Sequence, residues 1–226
     1  MKPWTKTSYA RLLIDNHITE DDPSFMIRFD PAAYVDMVKQ AGVDAAMVYA
    51  CCHNGNCYYP TRVGHMHANL NGRDIFGETV TLLRQAGITP VAYYTTIYHN
   101  HSARTHPAWR MQDAVGSQHS GRYWWSCPNN AEYRQFTQDQ IAEVIAYDVD
   151  GIFVDMTFWP VICCCPECRG LYLQEIGEEL PTVVDWRNPA WVRFQRFRQR
   201  SLVSFSQGIT DFIKSQRDIT VTLRRF

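Results

Sequence analysis

The segment DGIFVDMTFWPVICCCPEC, running from Asp150 to Cys168, sets a carboxylate close to a knot of thiols. Asp155 follows the apolar run GIFV, so its carboxylate falls at the end of a buried strand. Such a group has two readings. It can be a nucleophile or acid–base group for cleaving a glycosidic bond, or a structural acceptor for loop amides. Position alone weights the two evenly. The thiols are a separate matter. Cys163, Cys165 and Cys168 have the spacing C-x-C-x-x-C, with Cys164 between them. Thiolates so spaced can fold around one tetrahedral ion, and zinc is the usual occupant of four-thiolate sites. Cys127, in WWSCPNNAEY, is the best candidate for a fourth ligand, and Cys164 is an alternative to Cys163. Zinc is favoured over free buried thiols; a closed site of this kind is structural, tying two loops together. Cys51, Cys52 and Cys57 lack metal spacing and read as small core or rim residues.

Other strand ends supply polar side chains that are costly to bury without a partner. Asp15, Asn16 and His17 end one apolar run; Cys51, Cys52 and His53 end the next. Tyr93, Tyr94 and Thr96 end a third, with His99 and His101 beyond. His17, His53 and Tyr94 are read as hydrogen-bond partners for a polyhydroxylated ligand. Trp159, like Trp124 and Trp125, can stack on a sugar face or belong to the core.

These residues need a scaffold that brings strand ends together. Strands are expected at Tyr9–Asp15, Val43–Ala50, Ile88–Thr96, around DGIFVDM, and at Asp218–Thr222. Helices are expected at Asp30–Gly42, Gly72–Gly87, Asn130–Asp148 and Asn188–Gln216. The alternation, with near-continuous apolar strands, implies an α/β fold: a parallel sheet covered by helices. Long strand-to-helix loops and short helix-to-strand turns favour a (β/α)8 TIM-type barrel over a doubly wound sheet. No G-x-G-x-x-G follows the first strand, which leaves dinucleotide binding without support. Five strands are fewer than eight, so the expectation is a single domain over residues 1–226, a barrel truncated after its fifth strand. A half-open barrel exposes strand edges, which invites a homo-oligomer.

Composition narrows the partners. The chain has 226 residues and a formal net charge of −1, which gives no basic face for nucleic acid. Its 7 Trp, 12 Tyr and 11 Phe suit either an aromatic core or a sugar pocket. The N-terminal stretch MKPWTKTSYARLLIDNHITEDD carries charges throughout, and no run of 18 apolar residues follows. A soluble cytoplasmic protein with reduced or metal-bound cysteines is expected, with no membrane partner.

Three stretches together carry a resemblance: CHNGNCYYPTRVGHMHANLNGRDIFGETVTLLRQAGITPVAYY, RYWWSCPNNAEYRQF and YDVDGIFVDMTFWPVICCCPECRGLY. They resemble the hypothetical glycosyl hydrolase 6 group, barrel enzymes related to the α-L-fucosidases of glycoside hydrolase family 29. The resemblance runs from about Tyr9 to Thr222. It implies a retaining glycosidase in which Asp155, at the end of the fourth strand, is the nucleophile. Cys127, Cys163, Cys165 and Cys168 also resemble the zinc-binding loops of family 42 β-galactosidases. That family has Asn-Glu at the end of strand four, where this chain has Val154-Asp155; the departure favours the fucosidase-like reading over the β-galactosidase-like one. In such relatives the partner carboxylate comes from later strands, so no general acid is assigned. Retaining hydrolysis needs two carboxyl groups roughly 5 Å apart. A non-catalytic carbohydrate-binding or degenerate barrel fragment is the alternative.

Overall fold

A computed structural model describes residues 4–118 and 121–223. Residues 1–3 and 224–226, the two ends of the span read as one domain, lie outside the described residues. Along the chain run α1 (Trp4–Thr7), β1 (Arg11–Leu13), α2 (Pro31–Gln40), β2 (Ala45–Cys51), β3 (Asn56–Cys57) and β4 (His65–Met66). Then come α3 (Ile75–Gln85), β5 (Thr89–Thr95), α4 (Asn100–Thr105), α5 (Ala131–Ile145), β6 (Gly151–Asp155), α6 (Pro166–Ile176), α7 (Pro189–Gln216) and β7 (Thr220–Leu223).

The helices begin where the side chains can satisfy their first amides. Asp30 accepts from the N–H groups of Ala32 and Ala33 and caps α2, with Pro31 at the first helical position. Asn130 caps α5 through the Tyr133 amide, and Asn188 caps α7 through the Ala190 amide. Gly42 and Gly87 follow α2 and α3 with φ of 67° and 74°, a region open to glycine without steric cost.

β1, β2, β5, β6 and β7 are parallel and lie side by side in chain order. The order never reverses, so the sheet winds in one sense and has no switch point of the doubly wound kind. The hairpin strand β3 pairs antiparallel with the end of β2, and β4 pairs with β3. Alternation along the strands sorts the two faces. Val48, Ala92, Ile152 and Val154 share a buried core with Leu83 of α3 and Ile141 and Val144 of α5. Tyr49, Tyr93 and Phe153, which are register partners, line the opposite face.

The five expected strands are all present: β5 and β6 lie inside their expected spans, β2 and β7 start two residues later and end one residue later than expected, and β1 keeps only Arg11–Leu13 of the span Tyr9–Asp15. The helix α6 goes beyond the expectation: the thiols of PVICCCPEC drew the reading, while PECRGLYLQEI is a helix capped at its end by Gly177 in the left-handed region. Among the described residues no helix is long and apolar enough to cross a membrane.

Candidate active site and thiol cluster

Two carboxylates line one pocket of about 420 Å³ at the carboxyl ends of the strands, together with His17, His53, Tyr49 and Tyr93. Asp155 ends β6 and is 5% exposed. Its backbone carbonyl is held by the Thr96 amide and hydroxyl, at 3.1 and 2.8 Å, just beyond β5. The Tyr93 hydroxyl donates to Asp155 Oδ2 at 2.6 Å, and the Met156 amide donates to Oδ1 at 2.8 Å. Met156 has φ of 60°, a left-handed conformation uncommon outside glycine, and this turn aims its amide back at the carboxylate. His53 Nε2 stands 3.9 Å from Asp155 Oδ2 and 3.0 Å from the Tyr93 hydroxyl.

The balance of these effects fixes the charge of Asp155. Burial raises its pKa; the neighbouring His53, the Tyr93 hydroxyl and the Met156 amide outweigh burial and hold it below the usual carboxylate range. It is therefore a carboxylate at neutral pH, the state a nucleophile needs. The Tyr93 phenol is pushed far up, first by burial and then by the Asp155 charge, so it keeps its proton.

A second carboxylate repeats the pattern across the pocket. The Tyr49 hydroxyl donates to Asp15 Oδ1 at 2.9 Å, and His17 Nε2 lies 3.2 Å from the same oxygen. The two tyrosine rings stack at 3.9 Å between centroids, and the His17 and His53 rings at 3.6 Å. The His53 amide donates to His17 Nδ1 at 3.1 Å, which leaves the neutral His17 proton on Nε2, facing Asp15. Burial first, and then the His53 charge, push His17 down to about 4, so both conditions keep it neutral at pH 7. The pairs differ in solvation: the Asp15 side chain is 74% exposed and that of Asp155 7%.

Of the expected site residues, the structure brings Asp155, His17 and His53 together and leaves two apart. Tyr94 is a correction. Its ring points to the helix side of the sheet, where its hydroxyl donates to Gln140 Oε1 at 2.7 Å; strand alternation gives the pocket to Tyr93 instead. Trp159 is 8% exposed and lies in a separate cleft. Tyr49 was not singled out from the sequence, although it sits two residues before the end of its strand, as Tyr93 does and as Phe153 does on β6. A register slip between Tyr49 and Cys51, which pair with the consecutive residues Tyr93 and Tyr94, leaves Ala50 as the extra residue of β2 beside this site.

The four thiols of Cys127, Cys163, Cys165 and Cys168 converge, with their sulfurs within 4.8 Å of one another and all four residues buried. Cys127 Sγ lies 3.5 Å from Cys168 Sγ and 3.6 Å from Cys165 Sγ. A tetrahedral ion with sulfur ligands at about 2.3 Å requires sulfur–sulfur edges of about 3.8 Å, so the donor set fits a metal of that size and softness. Local structure builds it: Cys165 is the N-cap of α6, Pro166 opens the helix, and Cys168 falls in its first turn. The Asn129 backbone amide donates to Cys127 Sγ and its side-chain amide to Cys168 Sγ, contacts that would support thiolates around a bound metal. Cys163 is the thiol nearest deprotonation, because three neighbouring thiols point at it. Cys164 lies outside the set; its amide donates to the Gln112 carbonyl at 2.7 Å. All eight cysteines are free of disulfides.

The parallel α/β sheet is an architecture that this chain shares with solved glycoside hydrolases. The chain belongs to the hypothetical glycosyl hydrolase 6 family, whose model matches residues 30–156. No curated protein sequence matches it. Solved structures share its fold. α-L-Fucosidase isoenzyme 2 from Paenibacillus thiaminolyticus superposes with a TM-score of 0.80 at 22% identity, over 96% of this chain and 32% of that one. The PgaB (BpsB) glycoside hydrolase domain from Bordetella bronchiseptica gives 0.70 at 17% identity, over 95% and 64%. β-Galactosidase from Bacillus circulans sp. alkalophilus gives 0.63 at 18% identity, over 87% and 34%. The chain thus spans about a third of the length of the fucosidase it resembles.

Proposed function

We propose that this chain forms five consecutive units of a (β/α)8-type catalytic domain and takes part in retaining hydrolysis of glycosides, with an α-L-fucoside as the favoured substrate. The observation that carries the reading is the Asp155 carboxylate, buried yet ionised at the strand end and aligned by Tyr93 and the Met156 amide. In this reading one Asp155 oxygen attacks the anomeric carbon as the bond to the leaving-group oxygen breaks, and a glycosyl ester forms. Water then attacks the same carbon and releases the carboxylate. His17, His53 and Tyr93 orient sugar hydroxyls, Tyr94 facing the helix side of the sheet. Protonation of the leaving group is expected from a carboxyl group beyond these strands. Asp15, which lines the same pocket, remains committed to Tyr49 and His17.

The donor set of Cys127, Cys163, Cys165 and Cys168 would hold a structural zinc. A four-thiolate site has no open coordination position, so its contribution is to brace the loops after β5 and β6.

The direct test is trapping with a 2-deoxy-2-fluoro-fucoside bearing a dinitrophenolate leaving group. That leaving group departs without protonation, so the trap reports on the nucleophile even where the acid is absent. Peptide mapping is expected to find the sugar ester on Asp155 and none in Asp155→Asn. A label on another residue removes Asp155 from the role. Sugar binding without any label, unchanged in Asp155→Asn, is the result expected of a non-catalytic carbohydrate-binding domain.

A further inference from the structure

The loop after β6 and the N-terminal half of α7 enclose a second cleft of about 520 Å³ that the catalytic reading leaves unused. Its lining is one-sided. Trp186 is 68% exposed, and its ring meets Trp191 edge-on at 6.3 Å, which leaves a flat apolar face toward solvent. Arg196 and Arg198 line the cleft, and no carboxylate does among the described residues. Along the same helix Arg193 pairs with Glu178 and Arg200 with Glu175. Arg196 is exposed and has no such carboxylate partner among the described residues. Arg198 stacks over Trp159 at 4.9 Å and has the thiols of Cys163 and Cys168 as its electrostatic neighbours. The charge facing outward is therefore chiefly that of Arg196.

Hydrogen bonding points the same way. Trp159 Nε1, Gln195 Nε2 and Arg198 Nε are buried donors with no hydrogen-bond partner. Buried donors nearly always have one, and here three orphans belong to residues of one cleft. All three are N–H groups, so what is missing is an acceptor. Gln195 and Arg198 are half-buried residues of the cleft wall, joined by Arg198 Nη1 donating to Gln195 Oε1 at 2.8 Å.

The geometry points to a subsite for a sugar unit bearing an anionic group, a carboxylate or a sulfate ester. The ring would lie on Trp186 and the anion would face Arg196, with the unpartnered N–H groups of Trp159, Gln195 and Arg198 behind it in the cleft wall. An aromatic face suits the apolar side of a pyranose, and a guanidinium suits a planar or tetrahedral oxyanion. The cleft adjoins the Asp155 pocket, because Phe158 on its wall packs at 5.4 Å against Tyr98, which lines that pocket. One glycan could occupy both. The inference takes its ligand class from the carbohydrate reading above, but its test needs no turnover.

Isothermal titration of the full chain with methyl glucuronide, methyl glucoside 6-sulfate and methyl glucoside decides it. One or both anionic glycosides are expected to bind, with the neutral glycoside at least about tenfold weaker. Which anion binds tells carboxylate from sulfate. Trp186→Ala and Arg196→Gln, both at exposed positions, are each expected to weaken anionic binding about tenfold. Equal binding of all three glycosides, no binding of either anion, or binding indifferent to both substitutions overturns the proposal. A labelled Asp155 beside an empty cleft would defeat this inference alone. An unlabelled Asp155 beside a filled cleft would defeat only the catalytic reading.

Discussion

Tyr49 and Tyr93 stack ring on ring at 3.9 Å, yet their hydroxyls serve different carboxylates, Asp15 and Asp155. The stack fixes both hydroxyls, so each carboxylate has a donor set by packing rather than by a free rotor. A substrate entering the pocket meets two acids with the same neighbours and opposite solvation.

Tyr93→Phe removes the shorter of the two hydrogen bonds that hold Asp155 ionised and leaves the ring stack in place. The carboxyl pKa then rises, because one cause of its depression is gone. The acid limb of the pH–rate profile is expected to move to higher pH, with kcat/KM at neutral pH falling between about 10- and 100-fold. An unmoved acid limb would show that Tyr93 does not tune Asp155.

His17 gives stability a pH dependence of known sign. Its folded pKa, about 4, lies below the ordinary histidine value of 6.5, so the unfolded chain binds the extra proton first. The contribution is complete above pH 6.5 and is lost as pH falls toward 4. With the side chain only 12% exposed, the loss is at most about 3 kcal/mol. Urea unfolding at pH 7 and pH 4.5 should show a smaller fall for His17→Gln than for the parent. Equal falls would place the titration elsewhere.

Metal analysis of the purified chain is expected to find about one zinc per chain. Cys165→Ser should lose most of it and lower Tm by several degrees. Cys164→Ser should keep both, since Cys164 lies outside the converging set. Full metal content in Cys165→Ser would contradict the assignment.

Gly64 sits against Gln140, which accepts from the Tyr94 hydroxyl and donates to Cys57 Sγ. A Cβ at position 64 would collide with the Gln140 amide and meet Cys57 Sγ at 3.0 Å. Gly64→Ala is expected to cost about 2 kcal/mol by breaking this buried relay, read as a lower urea midpoint. A change within about 0.5 kcal/mol would mean that Gln140 repacks freely.

Much of the scaffold was legible in the sequence because its signals are local. Asp30, Pro31 and Gly42 bracket α2 by capping chemistry alone, and GIFVD announces a buried strand. Asp155 followed from that strand, Cys163, Cys165 and Cys168 from their spacing, and Cys127 from its place in the loop after the preceding strand. What escaped was side-chain direction. Choosing Tyr94 over Tyr93 is a one-residue error of phase, and along a strand each such step changes the face. Trp159 fell outside the pocket for a related reason: the loop after β6 turns at Met156, and position along the chain does not fix where a loop side chain ends. The Asp15–Tyr49–His17 group joins residues up to 34 positions apart and needed the fold to be seen.

Cys127 and Cys168 are 41 positions apart, and the segment between them contains α5 and β6. A metal held by the four thiolates would therefore close a ring in the covalent chain, with Asp155 inside it. Closing a ring of that length removes about 4 kcal/mol of chain entropy from the unfolded state, where the link survives there. The ring also tethers the carboxylate's strand at both ends, so loss of the ion would loosen the site without touching a residue that lines it.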